Sequence, residues 1–189
     1  MIFLRKIRSV ILRVSVFIRM KFYINYLNYF YDGISVAPSV LIGHGVKISS
    51  TDGGSILIQG KTSIDDFSKI IARSGKILIG ENVFIGNGCI LVGLSSIVIG
   101  SDTLIGEYVV IRDQDHIVAS KPIRKSGFLS NSIKIGANCW LGSKVTILRG
   151  SSIGDGAVIG AHSLVRGDIP PYTLAVGCPA KVVKHLPRP

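Results

Sequence analysis

The sequence predicts an all-β fold: a parallel β-helix of six-residue repeats, preceded by one amphipathic helix. Three observations carry this. An aliphatic residue recurs at every sixth position through Ile135, Leu141, Ile147, Ile153, Ile159 and Val165, and Gly136, Gly142, Gly154 and Gly160 follow four of them. Neither the helical period of 3.6 nor the twofold alternation of a strand gives that beat. A coil with three flat faces does, with one inward aliphatic per face and a tight turn at each corner. The second observation is a longer period: Gly80 recurs as Gly100 and Gly86 as Gly106, which fits one turn of three faces with a little extra at a corner. The third is composition. Gly is abundant (22 residues) while Trp, Met and charged residues are scarce, which suits a repetitive β architecture better than a helical bundle.

Residues 1–38 stand apart from the repeats. Leu4, Ile7, Ile11, Val14, Ile18 and Phe22 would share one helical face, with Arg5, Arg8, Arg13 and Arg19 off it. With Lys6 and Lys21 these supply +6 of the formal +11, and no acid precedes Asp32. The cations interrupt every window of the roughly 20 apolar residues that a membrane span needs, and no A-x-A-like cleavage site follows. Six aromatics border the segment, from Phe22 and Tyr23 through Tyr26 and Tyr29 to Phe30 and Tyr31. Two readings fit: a cap on the open end of the solenoid, or a helix of residues 1–24 lying on a membrane surface.

The domain predicted over residues 39–189 opens with an irregular repeat near Ile42-Gly43 and an excursion at Ser49–Ser55. It steadies from Ile79-Gly80 onward. Its three cysteines lack C-x-x-C spacing, which favours reduced thiols in a cytoplasmic protein over a disulfide framework. Neither zinc-finger spacing nor an RNP-like aromatic motif is present, which argues against a nucleic-acid partner.

After Ile111 the beat stops, and it resumes at Ile133. The loop so extruded, residues 112–132, is expected to carry function, since long excursions from regular scaffolds usually do. At its root stands Asp113-Gln114-Asp115-His116. An imidazole can take a proton from a hydroxyl near neutral pH, and a neighbouring carboxylate, Asp113 or Asp115, could orient it. Lys121, Arg124 and Lys125 farther along the loop could meet phosphates or an anionic sugar, or form a merely solvated basic stretch. His44, His162 and His185 lie in plainer settings. No three histidines fall on adjoining faces as a zinc site would need, so no metal is expected, and no G-x-S-x-G elbow offers a serine nucleophile.

The [Ile/Leu/Val]-Gly-x-x repeat resembles that of the left-handed β-helix acyltransferases. From Ile77 onward the likeness is to the branch containing maltose, galactoside and polysaccharide O-acetyltransferases. Its carriers are Asn138-Cys139-Trp140-Leu141-Gly142-Ser143, then Asp168-Ile169-Pro170-Pro171, then Gly177-Cys178-Pro179-Ala180-Lys181. The left hand comes from this resemblance alone, since general crossover rules favour the right.

The resemblance implies acetyl-CoA as acyl donor, a homotrimer, a saccharide acceptor and His116 as general base. It implies that Trp140, Gly142, Ser143, Gly160 and Ala161 line the groove for the pantetheine arm, the Gly160-Ala161 main chain pairing with its amides. Lys181, Arg166 and Lys184 would then meet the nucleotide phosphates. Where maltose-type relatives carry an Asn and an Asp, this chain has Gly88 and Gly93. Asn87 is thus left as the nearest sugar contact, and the maltose or galactoside substrate does not carry over. The function so implied is transfer of acetyl from acetyl-CoA to a sugar hydroxyl of a cell-surface polysaccharide, an O-antigen, capsule or exopolysaccharide. It would take place in the cytoplasm or at the inner face of the plasma membrane. The alternative is an N-acetyltransferase of a nucleotide-linked amino sugar.

Overall fold

The structure, a computed structural model, describes residues 2–118 and 122–188, the first twelve of these as backbone only. After one helix, α1 (Ile2–Phe30), every strand of the main body pairs in parallel with the strand one coil away, forming three sheets. The described strands make six complete coils and part of a seventh. Each coil crosses a first, a second and a third face in turn: coil 1 uses Ile34–Val36, Leu41–Ile42 and Lys47–Ser50. The fold is therefore the parallel β-solenoid that the sixfold beat predicts.

The beat becomes three stacked ladders. On the first face Val36, Ile58, Ile79, Ile99, Ile135, Ile153 and Ile169 lie in register. On the second, Ile42, Ile64, Ile85, Ile105, Leu141, Ile159 and Ala175 do so. The third holds Ile48, Ile70, Leu91, Ile111, Ile147 and Val165. All are buried. Burying one such side chain contributes about 1.5–3 kcal/mol, so the ladders dominate the core. Polar groups at the buried corners are satisfied by the next coil: Thr62 Oγ1 donates to the Gly80 carbonyl (2.9 Å) and Thr103 Oγ1 to that of Gly136 (3.0 Å). The glycines after the aliphatics follow from this stacking. A Cβ on Gly142 would lie 2.6 Å from the Ala161 nitrogen of the next coil.

The first strand begins at Ile34, inside the segment expected to be cap only. Coil formation starts as soon as Gly33, at φ 85°, turns the chain out of the helix. The cap itself is a single face of α1. Met20, Ile24 and Leu27, spaced i, i+4 and i+7, are buried on the end of coil 1. Asn28 clasps the first strand twice, donating to the Val36 carbonyl (2.9 Å) and accepting from its N–H (2.8 Å). The face expected from the sequence is a different one, since Val14, Ile18 and Phe22 stand exposed. Its members Leu4, Ile7 and Ile11 lie outside the described side chains. At the far end Ala180–His185 folds back antiparallel on Thr173–Gly177.

Candidate active site

The loop that interrupts the repeats leaves from the third face of coil 4 (Val110–Arg112) and returns on the first face of coil 5 (Ile133–Ile135). It therefore emerges at the corner between those faces, and the second face lies across the prism from it. Its stem is an antiparallel hairpin in which Gln114–His116 pairs with Phe128–Ser130. His116 is exposed and opposite Phe128, their ring centroids 4.4 Å apart. The Arg73 guanidinium approaches the Phe128 ring at 5.9 Å.

Neither acid at the root orients the imidazole. Asp113 is fully buried, and its two oxygens accept the backbone N–H groups of Leu94 (2.8 Å) and Ser95 (2.7 Å) in the preceding coil. In the orientation that satisfies both sides, the Gln114 amide donates to Asp113 Oδ1 (2.6 Å) and the Val92 carbonyl (3.1 Å). Asp113 thus ties the hairpin root to the coil. Asp115 accepts from Arg149 Nε at 2.6 Å. Successive strand residues point to opposite sides, so Asp115 faces away from its neighbour His116. Arg124 lies exposed in the short helical turn Ile123–Lys125, and Lys121 lies outside the described residues.

The second face carries a groove of about 570 Å³. Its floor is an outward ladder of Phe84, Leu104, Trp140, Val158 and Leu174. Its wall is the corner toward the third face, where Gly106-Glu107, Gly142-Ser143 and Gly160-Ala161 stack. Trp140 is 55% exposed, an open aromatic surface on the floor. Trp140, Gly142, Ser143, Gly160 and Ala161 are thus brought together as expected. The Gly160 N–H, however, is engaged: it donates to the Ala175 carbonyl (2.9 Å), and its own carbonyl accepts from Ser163. Gly160 thus has its N–H in the coil stack and its carbonyl in the corner turn.

Glu107 is a groove residue that the sequence reading missed. The Ser143 hydroxyl donates to its carboxylate, which holds the acid below the usual carboxylate range. Asn87 is exposed one coil earlier in the same corner column, its carbonyl accepting from Tyr108 N–H (2.8 Å). The column is visible in the sequence only once the loop is excised from the count.

Lys181 and Lys184 pair with Val176 and Leu174, and directly opposed residues share a sheet face. Both lysines are therefore on the groove side, at its C-terminal end. Arg166 is elsewhere. It follows the third face of coil 6 and lines a pocket with Asp115, Leu148 and Arg149 beside the hairpin. The third face of the coil separates it from the groove wall beside Trp140. Among the described residues, no group of three His, Cys, Asp or Glu side chains could hold a metal ion.

Comparison with known proteins accords with this architecture. Residues 132–167 match the family of bacterial transferase hexapeptides, six repeats. The chain is 38% identical over 149 residues to a Mycobacterium tuberculosis protein named "Probable acetyltransferase", covering 77% of this chain and 50% of that one. It is 38% identical over 119 residues to an Escherichia coli protein named as a candidate O-acetyl transferase of lipopolysaccharide biosynthesis, covering 58% and 61%. A crystal structure of the Bacillus cereus N-acyltransferase AntD, with dTDP-4-amino-4,6-dideoxyglucose and coenzyme A, superposes with a TM-score of 0.75 at 21% identity, covering 87% of this chain and 89% of that one. The likeness to the hexapeptide-repeat transferases thus extends from the repeat to curated relatives and to the fold. The chain spans about half to three-fifths of the length of the curated relatives it matches.

Proposed function

We propose that this protein is an O-acetyltransferase that moves acetyl from acetyl-CoA to a hydroxyl of a cell-surface saccharide, with His116 as general base. One observation carries the reading. The exposed imidazole stands at one corner of the prism while the Trp140 groove occupies the opposite face. A single chain therefore offers the two halves of a transfer site facing apart. A homotrimer reunites them, with His116 of one subunit meeting the groove of the next.

The groove suits the donor: an apolar floor for the pantetheine arm and acyl group, with Lys181 and Lys184 at the end where the nucleotide phosphates would lie. His116 takes the proton as the sugar oxygen bonds to the thioester carbonyl carbon. It returns that proton to the departing CoA sulfur as the C–S bond breaks, so transfer is direct. Asn87, Arg124 and Lys121 are assigned to the acceptor. The named Escherichia coli relative favours an envelope saccharide, whose acetylation by acetyl-CoA would proceed in the cytoplasm or at the inner face of the plasma membrane.

His116→Ala should lower the rate of thiol release from acetyl-CoA by on the order of 10² to 10⁴ while oligomer and CoA binding persist. Mixing inactive His116→Ala subunits with inactive Trp140→Ala subunits should restore activity, since some interfaces then hold both intact halves. Near-normal turnover by His116→Ala would sink the assignment. The superposition on AntD favours a second reading, N-acylation of a nucleotide-linked amino sugar. Competition by nucleotide sugars in the same assay separates the two.

A further inference from the structure

α1 has two apolar faces, and the solenoid uses one. Successive helical residues turn by about 100°, so the capping residues Met20, Ile24 and Leu27 cluster on one side. Ile18, Phe22 and Tyr29 cluster on the opposite side, with Val14 toward its edge. The capping set is 1–6% exposed, whereas the outer set is 51, 61, 73 and 82% exposed. Capping therefore does not account for the outer stripe, and cap and surface contact are not rival uses of one face.

Charge says what the stripe meets. By the same geometry Arg19 and Lys21 flank it, one on each side. Arg19 Nη1 donates to His44 Nδ1 (2.9 Å) and Lys21 to the Pro38 carbonyl, and neither of these partners cancels a positive charge. The sequence adds Arg5, Lys6, Arg8 and Arg13 to the same helix and places no acid in it. Packing such helices against their copies would bring cations together without counter-charge. Tyr26, Tyr29 and Phe30 form the aromatic border that favours the level of lipid headgroups. The helix is roughly 43 Å long at 1.5 Å per residue, yet among the described residues no helix is long and apolar enough to cross a membrane. A basic helix with an exposed apolar stripe and an aromatic border is suited to a lipid surface.

We propose that the outer stripe of α1, Val14-Ile18-Phe22-Tyr29, docks the protein on an anionic lipid surface, with Arg19 and Lys21 flanking the contact. This rests on the helix alone and goes beyond acyl transfer. It would hold the solenoid beside lipid-borne acceptors.

The test uses the full chain, because deleting residues 1–24 would also remove Met20 and Ile24 and uncap coil 1. Co-sedimentation is measured with vesicles of phosphatidylcholine, with and without phosphatidylglycerol. The wild type should partition to the anionic vesicles, and salt should weaken it. Val14→Ser/Ile18→Ser/Phe22→Ser should bind about tenfold or more weakly with an unchanged melting temperature and unchanged thiol release toward a soluble acceptor. His116→Ala should bind vesicles as the wild type does, so failure of the catalytic reading leaves this one standing. Equal partitioning of wild type and triple variant would overturn the proposal. So would binding indifferent to phosphatidylglycerol, or a wild type that ignores vesicles while the triple variant loses its oligomeric state.

Discussion

The carboxylate of Asp115 and the guanidinium of Arg149 are joined at 2.6 Å across 34 residues of sequence, tying the His116 hairpin to the corner of the following coil. Both side chains are partly exposed, at 50% and 37%. A pair of that kind contributes only about 0–1 kcal/mol to stability, so its importance is positional. Arg149→Ala should leave the melting temperature nearly unchanged yet lower kcat about tenfold, since displacements on the ångström scale cost rate steeply. The KM for acetyl-CoA should hold. Steady-state kinetics beside a thermal melt check this, and an unaltered kcat would remove Arg149 from the positioning machinery.

Asp113 should behave in the opposite way. Its buried carboxylate satisfies two backbone donors, and Asp113→Ala strands both. Each lost bond to a charged group costs about 1.5–3 kcal/mol, so urea unfolding should show a loss of about 3–6 kcal/mol. Asp113→Asn keeps one acceptor oxygen and should lose less.

Gly142→Ala tests the closeness of coil stacking. The added methyl would meet the backbone nitrogen of Ala161 at 2.6 Å, and backbone cannot swing aside as a side-chain tip can. A destabilisation of about 1–3 kcal/mol is expected, read by denaturant unfolding. Its companion is a weakened groove wall, visible as a raised Kd for CoA.

The thiols give a pH signature. Burial pushes the Cys89 thiol up to about 11 and raises Cys139 as well, while Cys178 is exposed. At pH 8 a thiol reagent should label Cys178 in the folded protein, and all three cysteines after unfolding. The linkage has a definite sign. The unfolded chain ionises Cys89 near 9 and the folded chain does not, so the unfolded state binds fewer protons above that pH. This contribution is whole below pH 9 and declines as pH rises toward 11. Cys89→Ala should flatten that alkaline limb of a stability–pH curve.

The ladders were legible because a residue facing inward on every face imposes a sixfold beat that neither a helix nor a lone strand produces. The place of His116 at the root of the excursion was legible because the beat breaks beside it. The roles of its neighbours were not. Asp113 meets Leu94 and Ser95 through the stack, Asp115 meets Arg149 across the loop, and Glu107 meets Ser143 from 36 positions away. In a solenoid, spatial neighbours are a full coil apart, and an inserted loop lengthens that separation without moving the partners. Arg166 was a different matter. Counting faces from Leu164–Val165 would have put it at the hairpin corner and not with Trp140.

A stack of parallel strands is a template for its own continuation, and each end of such a column invites another chain to add itself. Here α1 closes one end. The other end of the second sheet closes with Ala180–His185, an edge strand reversed in direction and studded with Lys181, Lys184 and His185. Charged edge strands resist pairing with further strands. Lys181 and Lys184 thus give this edge a charge that disfavours the addition of another strand. Replacing them with β-branched apolar residues should favour edge-to-edge association.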